Sequence, residues 1–292
     1  MARVSASIPA LVYSNPAQLL EVYRVQEPSG ALRCLRQQRF HALEDCQREQ
    51  QRFLLQQSLS HPHTFQVYRV SSEAKAGEWV LRVDLEWCGE DLDYLTRTKY
   101  RQGWEAERCV QLLREVAGAL AYAQEKGVCH RDIKPSNLFL TDAADFKVGD
   151  FGCAKSLDSA LEHSMAGTPL YLSPILRRAF TQQLLGQQIG PVEHNPYKSD
   201  VFSLGLTLVF LLKPSAVSIL GNPAELTTTL SNLQISPDFQ ATLRLMLESE
   251  EANRLELLAK LAPSQVSAPA EDLPPVPNFP AVKKRKWRIV VK

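Results

Sequence analysis

The stretch His130-Arg131-Asp132-Ile133-Lys134-Pro135-Ser136-Asn137, followed thirteen residues after Asn137 by Asp150-Phe151-Gly152, sets two carboxylates, a lysine and an amide in one short order. Between the two blocks, Leu138–Thr141 and Phe146–Val148 are short β runs, and Asp142–Asp145 supplies the turn residues that join them. Upstream, Val110, Leu113, Val116, Ala117 and Leu120 recur at helical spacing, which predicts a helix over residues 105–126 with one buried stripe, stopped by Gly127. Downstream, Ser199–Leu212 reads as an apolar helix, and Pro237–Leu261 as one or two more.

Taken in order, these pieces resemble the catalytic loop and the metal-binding tripeptide of the protein kinase superfamily, with the helix before and the hairpin between. The resemblance implies an α+β, bilobal fold. A small β-rich N-lobe with one main helix would span about residues 1–88, and a larger, mostly helical C-lobe about 89–261. It also implies roles, because phosphoryl transfer needs an aligned hydroxyl and neutralised phosphate charge. Asp132 would accept or orient the proton of the substrate hydroxyl, and Lys134 would stand against the transferring phosphate. Asn137 and Asp150 would give Mg²⁺ the oxygen ligands it prefers. A lysine at position 134 resembles the serine/threonine branch.

Residues 150–174 resemble an activation segment, with Gly167-Thr168-Pro169-Leu170-Tyr171-Leu172-Ser173-Pro174 as its substrate-facing end. Thr168 would hydrogen-bond toward Asp132 and Lys134. Ser164 falls where the family places an activating phosphate, which implies an upstream kinase as partner and Arg131 as the cation that would meet the phosphate. An ordinary loop serine is the alternative. Ser173-Pro174-Ile175 departs from the family, which has a glutamate at the third position. Its pairing with an arginine, expected at Arg254, cannot form, so Arg254 is expected to be free. Asp200 resembles the buried aspartate that caps the central helix and braces the catalytic-loop backbone.

The first ninety or so residues read as a small mixed sheet with a helix over 41–59. Leu19–Val25 and Ala31–Leu35 flank the turn Glu27-Pro28-Ser29-Gly30, and Thr64–Val70 and Trp79–Glu86 form a second pair around a polar stretch. By the same resemblance, Leu85 is the gatekeeper, the backbones of Glu86 and Cys88 bond adenine, and Asp91 lies near the ribose. Here too the chain departs. Asn15, Ala17 and Leu20 stand where three glycines belong, so the loop should cover phosphates poorly. Arg36 takes the place of the strand lysine, with Glu49 as its helix partner and Glu44 as the alternative. Arg33, an odd number of positions away, faces the other side of the strand. Arginine keeps the charge but is longer and planar.

Bulk properties agree with an ordinary folded chain. Of 292 residues, 45% are apolar and 22% charged, and the net charge of +1 gives no field that would recruit nucleic acid. Six scattered cysteines form no CxxC pair and read as reduced thiols of an intracellular protein. No apolar run is long enough to span a bilayer. Residues 262–292 form a proline-rich tail ending in Lys283-Lys284-Arg285-Lys286-Trp287-Arg288. That run reads either as a nuclear import signal on a cytoplasmic protein or as a solvated basic end. Two functions stay open: a serine/threonine kinase using ATP and Mg²⁺ on a protein substrate, which the residues favour, and a kinase-shaped binding module with little turnover.

Overall fold

The computed structural model describes residues 9–151, 155–156, 169–188, 192–254 and 256. Its chain divides into two compact units. The first contains the described residues up to Ser60 together with Thr64–Gly89. It is a five-stranded antiparallel sheet with one helix. The strands are β1 (Ala10–Asn15), β2 (Leu20–Gln26), β3 (Leu32–Phe40), β4 (Val67–Lys75) and β5 (Glu78–Glu86), in the order β1-β2-β3-β5-β4, and the helix is α1 (Leu43–Gln57).

Local chemistry explains the turns. Gly30 (φ 88°) closes the β2–β3 loop by donating its amide to the Glu27 carbonyl at 2.9 Å, a conformation that costs glycine little. The β4–β5 loop is two residues long, and both of them, Ala76 (φ 52°) and Gly77 (φ 82°), are left-handed, as a type I′ hairpin turn requires. Alternation along the strands puts Val67, Leu81, Val83 and Leu85 on one face, where Cys46 and Phe53 of α1 meet them. Glu44 and Asp45 occupy the first turn of α1, where the helix dipole favours negative charge. Burial in this unit pushes the Cys34 thiol up to about 12, and burial does the same to Cys109 in the other unit. Both are packing thiols rather than nucleophiles. The five described cysteines form no disulfide with one another.

The second unit takes His61–His63 and the described residues from Glu90 onward. It begins with β6 (Glu90–Asp91), α2 (Leu92–Thr98) and α3 (Ala106–Glu125), followed by β7 (Val128–Cys129), β8 (Leu138–Leu140), β9 (Phe146–Val148) and β10 (Lys155–Ser156). Four helices end it: α4 (Pro174–Leu184), α5 (Pro196–Leu212), α6 (Pro223–Asn232) and α7 (Pro237–Met246). Strands β6, β8 and β9 form one small sheet, and β7 pairs with β10. Helix α5 is buried on nearly every side, as its continuous apolar sequence demands, and α3 packs on it with a single stripe. The chain just before α3 is tied to the end of α5 by the Trp104 amide, which donates to the Leu211 carbonyl at 2.9 Å.

Helix α5 starts three residues earlier than its apolar run suggests. Asn195 caps it, accepting the amides of Tyr197 and Lys198, and Pro196 sits in its first turn. Asp200 is therefore not the helix cap, and its carboxylate is used elsewhere. Three helices were not foreseen: α2, α4 and α6. Each carries a start signal, Asp91, Pro174 and Asn222-Pro223, that a search for long apolar periodicity passes over. Among the described residues no helix is long and apolar enough to cross a membrane.

Candidate active site

The second unit assembles its site from three short pieces. The loop between β7 and β8 carries His130 to Asn137, the chain just after β9 carries Asp150, and the first turns of α5 carry Asp200. Asp200 is 4% exposed, and its two carboxylate oxygens accept the backbone amides of His130 (2.8 Å) and Arg131 (2.7 Å). Burial pushes its pKa up, while the His130 imidazole and the two amides pull the other way. That brace holds Arg131 at φ 70°, a left-handed conformation a non-glycine residue adopts only under constraint.

His130 is a positioning residue whose use was not foreseen from sequence. Its ring is fully buried, with Nε2 3.0 Å from the Gly149 carbonyl and Nδ1 3.3 Å from the Asp132 amide. With Nδ1 accepting from that amide, Nε2 is the nitrogen left to donate to the Gly149 carbonyl. It packs 4.5 Å from the Phe151 ring. One side chain thus fixes the backbone at Asp132 and the residue before Asp150, which is itself held at φ 56°.

On that frame the side chains of Asp132, Lys134 and Asn137 converge. Lys134 donates from Nζ to Oδ2 of Asp132 at 2.6 Å. Asn137 donates from Nδ2 to the Asp132 carbonyl at 2.7 Å and to its Oδ2 at 3.2 Å. With its nitrogen so used, the amide of Asn137 is oriented, and Oδ1 is its acceptor end. An amide oxygen and the Asp150 carboxylate are hard donors of the kind Mg²⁺ takes, so the residues present fit that ion. Thr168 and Ser164 lie outside the described residues, as do Lys283–Arg288 and the rest of the tail.

Asp91 joins this neighbourhood by strand pairing, since Asp91 of β6 stands opposite Phe139 of β8. Its carboxylate has a structural duty: Oδ1 accepts the Tyr94 amide at 2.8 Å and caps α2. Burial raises its pKa to about 6, against the opposing pull of that amide. Arg254 is not free, as expected from the missing glutamate, but 2% exposed. Its guanidinium donates to the carbonyls of Glu248 (3.0 Å), Lys198 (3.2 Å) and Ser249 (3.3 Å) and lies 4.9 Å from the centre of the Phe202 ring. Backbone carbonyls and an aromatic face hold the arginine where the family pattern has a glutamate.

The first unit offers a different set. Arg36 pairs with Glu49 of α1 at 2.9 Å, and both side chains are largely buried. Its second nitrogen donates to Gln38 Oε1 at 2.8 Å, and its plane lies over the Phe53 ring at 4.7 Å. Glu49 also takes Arg52 at 3.0 Å. Arg33 faces the other way, over Tyr68. Where the sequence lacks glycines, the β1–β2 connection is a 3-10 turn over Pro16–Gln18 with Leu19 left-handed at φ 51°. Side chains close it: Asn15 donates to Gln18 Oε1 at 2.8 Å, and Gln38 donates to the Gln18 carbonyl at 3.2 Å. Gln38 therefore links Arg36 to this turn. At the end of β5, Leu85 is buried opposite Cys34, and the Glu86 amide donates to the Gln66 carbonyl at 2.9 Å. Cys88 is buried nearby, its Sγ 3.9 Å from the Glu86 carbonyl.

Comparison with known proteins converges on one family. The model of the protein kinase domain matches residues 21–261. The chain is 30% identical over 207 residues to CBL-interacting protein kinase 29 of Oryza sativa subsp. japonica, covering 68% of this chain and 42% of that protein. It is 28% identical over 209 residues to the serine/threonine-protein kinase atg1 of Dictyostelium discoideum, covering 68% and 29%. Against serine/threonine-protein kinase Nek9 of Mus musculus, identity is 36% over 152 residues, covering 50% and 14%. The chain thus spans less than half the length of each of these relatives.

Proposed function

The chain belongs to the protein kinase domain family, and from that premise we propose that it transfers the γ-phosphate of ATP to serine or threonine hydroxyls of a protein substrate. The observation that carries this is the Asp132–Lys134–Asn137 cluster, with its 2.6 and 2.7 Å bonds on a backbone braced by Asp200. Asp132 orients the substrate hydroxyl and takes its proton as the new bond forms. Lys134, already against Asp132, lends positive charge to the moving phosphoryl group. Asn137 and Asp150 hold Mg²⁺, which offsets phosphate charge when bound. Arg36 supplies charge to the α- and β-phosphates, the backbones of Glu86 and Cys88 bond adenine, and Asp91 uses its remaining oxygen on the ribose. Thr168 steadies Asp132 and Lys134, and an upstream kinase acts on Ser164, with Arg131 receiving the phosphate.

One observation favours the second function, a kinase-shaped module with little turnover. The Arg36 guanidinium is already held by Glu49 and Gln38, and the Asn15–Gln18 turn is closed by its own side chains. Transfer should therefore be slow rather than absent, because positioning contributes a large share of catalysis.

The test is transfer of label from ATP to a generic basic protein in the presence of Mg²⁺, with Asp132→Ala beside it. Loss of the general base should cost about 100- to 10,000-fold. Transfer that survives in Asp132→Ala would overturn the assignment of Asp132. No transfer, with a thermal shift from ATP, supports the binding module, and neither transfer nor shift removes the enzyme.

A further inference from the structure

Beyond the reacting groups, we propose that Arg177 positions the peptide substrate by clamping the backbone of Leu170–Leu172 to the turn at Leu220–Gly221. The proposal rests on the kinase function above, in which Gly167–Pro174 faces the substrate. Arg177 stands in the first turns of α4, just after this stretch. Its Nη2 donates to the carbonyls of Leu170 and Leu172, each at 3.1 Å. Its Nη1 donates to the Gly221 carbonyl at 3.0 Å and reaches the Leu220 carbonyl at 3.4 Å. One planar group thus spans two backbone segments about fifty residues apart.

The geometry explains why arginine does this. Leu170 and Leu172 belong to a 3-10 turn and the residue after it, and both carbonyls point toward one fork. A guanidinium carries five donors in a fixed plane and can hold a carbonyl pair on each side, whereas an ammonium is a single point. Burial lowers the Arg177 pKa, so the fold accepts a desolvated cation here to keep these bonds.

Two serine ties join this stretch to α5. Ser203 donates to the Tyr171 carbonyl at 2.8 Å, and Ser173 and Ser199 share a bond at 3.1 Å. Among the described residues, Arg177 is the side chain that hydrogen-bonds this stretch to Leu220–Gly221. Removing it should loosen Leu170–Leu172 while the serine ties keep α4 and α5 together. Arg178, next in sequence and exposed, is the control.

The experiment uses the whole chain as wild type, Arg177→Met, Arg177→Lys and Arg178→Met. Hydrogen exchange should quicken about 10-fold at amides 170–173 and 219–222 in Arg177→Met, with Arg177→Lys between, because bonds to a charged donor are the stronger kind. Amides within α5 and all of Arg178→Met should stay as in wild type. In transfer assays, KM for the protein substrate should rise about 10-fold in Arg177→Met with KM for ATP unchanged. Unchanged exchange at 170–173 overturns the clamp, as does faster exchange spreading through α5. A KM for ATP rising in step overturns the positioning role. If the wild-type chain transfers no phosphate, the kinase function and the substrate role fail together, and the exchange data still decide the clamp.

Discussion

Asp91 shows how one carboxylate can serve the fold and still bear on the site. It caps α2 through the Tyr94 amide yet is 7% exposed, and burial lifts its pKa from 3.8 to about 6. A carboxyl whose pKa rises on folding holds its proton more tightly in the folded chain. Its contribution therefore favours folding below pH 3.8 and is lost as pH climbs through about 6. Asp91→Asn keeps a capping oxygen and drops the charge. The variant should be more stable than wild type by on the order of 2 kcal/mol near pH 7.5, with the advantage shrinking toward pH 4. Urea midpoints at several pH values check this. A difference that stays flat from pH 4 to 7.5 would show that Asp91 ionises as an ordinary carboxylate. The same residue scale holds the departures in the first unit. Arg36 keeps the charge of the expected lysine, but its fork reaches Gln38 as well as Glu49 and so recruits the β1–β2 turn.

At the scale of elements, two glycines with similar backbones differ in what surrounds them. Gly103 (φ 115°) precedes Trp104 at the entry to α3, and a Cβ there would collide with the Leu212 carbonyl at the end of α5. Gly127 (φ 71°) follows α3 in open space. Gly127→Ala should cost only the left-handed penalty, about 1 kcal/mol. Gly103→Ala should cost about 3 kcal/mol, because the clash adds to that penalty and pushes apart two helix ends joined by the Trp104–Leu211 bond. Thermal or urea unfolding of the two variants side by side measures the difference, and equal losses would refute the close approach. Helix starts follow a common rule at this scale. Asn195, Asn222 and Ser236 each cap a helix by accepting its first amides, and each is followed by proline.

Across the whole molecule, Arg254 ties together parts of the second unit that are distant in sequence. Its three carbonyl partners lie at Lys198, in the first turns of α5, and at Glu248 and Ser249, after α7. Burial lowers its pKa, so the charge is kept in place by these bonds rather than by solvent. Arg254→Met should fill the volume but leave those carbonyls without their donor, at a cost of about 3 kcal/mol in urea unfolding. A variant as stable as wild type would show that water serves the carbonyls equally well. Ile175 has removed the acidic partner that the family resemblance suggests, and the fold holds the arginine without it.

Much of this was written in the chain itself. The order and spacing from His130 to Val148 specify a loop and a hairpin, because each depends on residues near in sequence. The alternation that separates Arg33 from Arg36 likewise follows from strand period alone, and it put Arg36 on the side where Glu49 waits. What the sequence could not assign were bonds between segments far apart. The cap of α5 went to Asn195 rather than Asp200, whose brace on the backbone of His130 and Arg131 the family resemblance did imply. Arg254 found carbonyls, Arg177 found Leu220–Gly221, and the His130 ring bridged Asp132 to Gly149. Those choices depend on which backbone groups are brought near a side chain and shut off from water, and only the packed tertiary structure decides that.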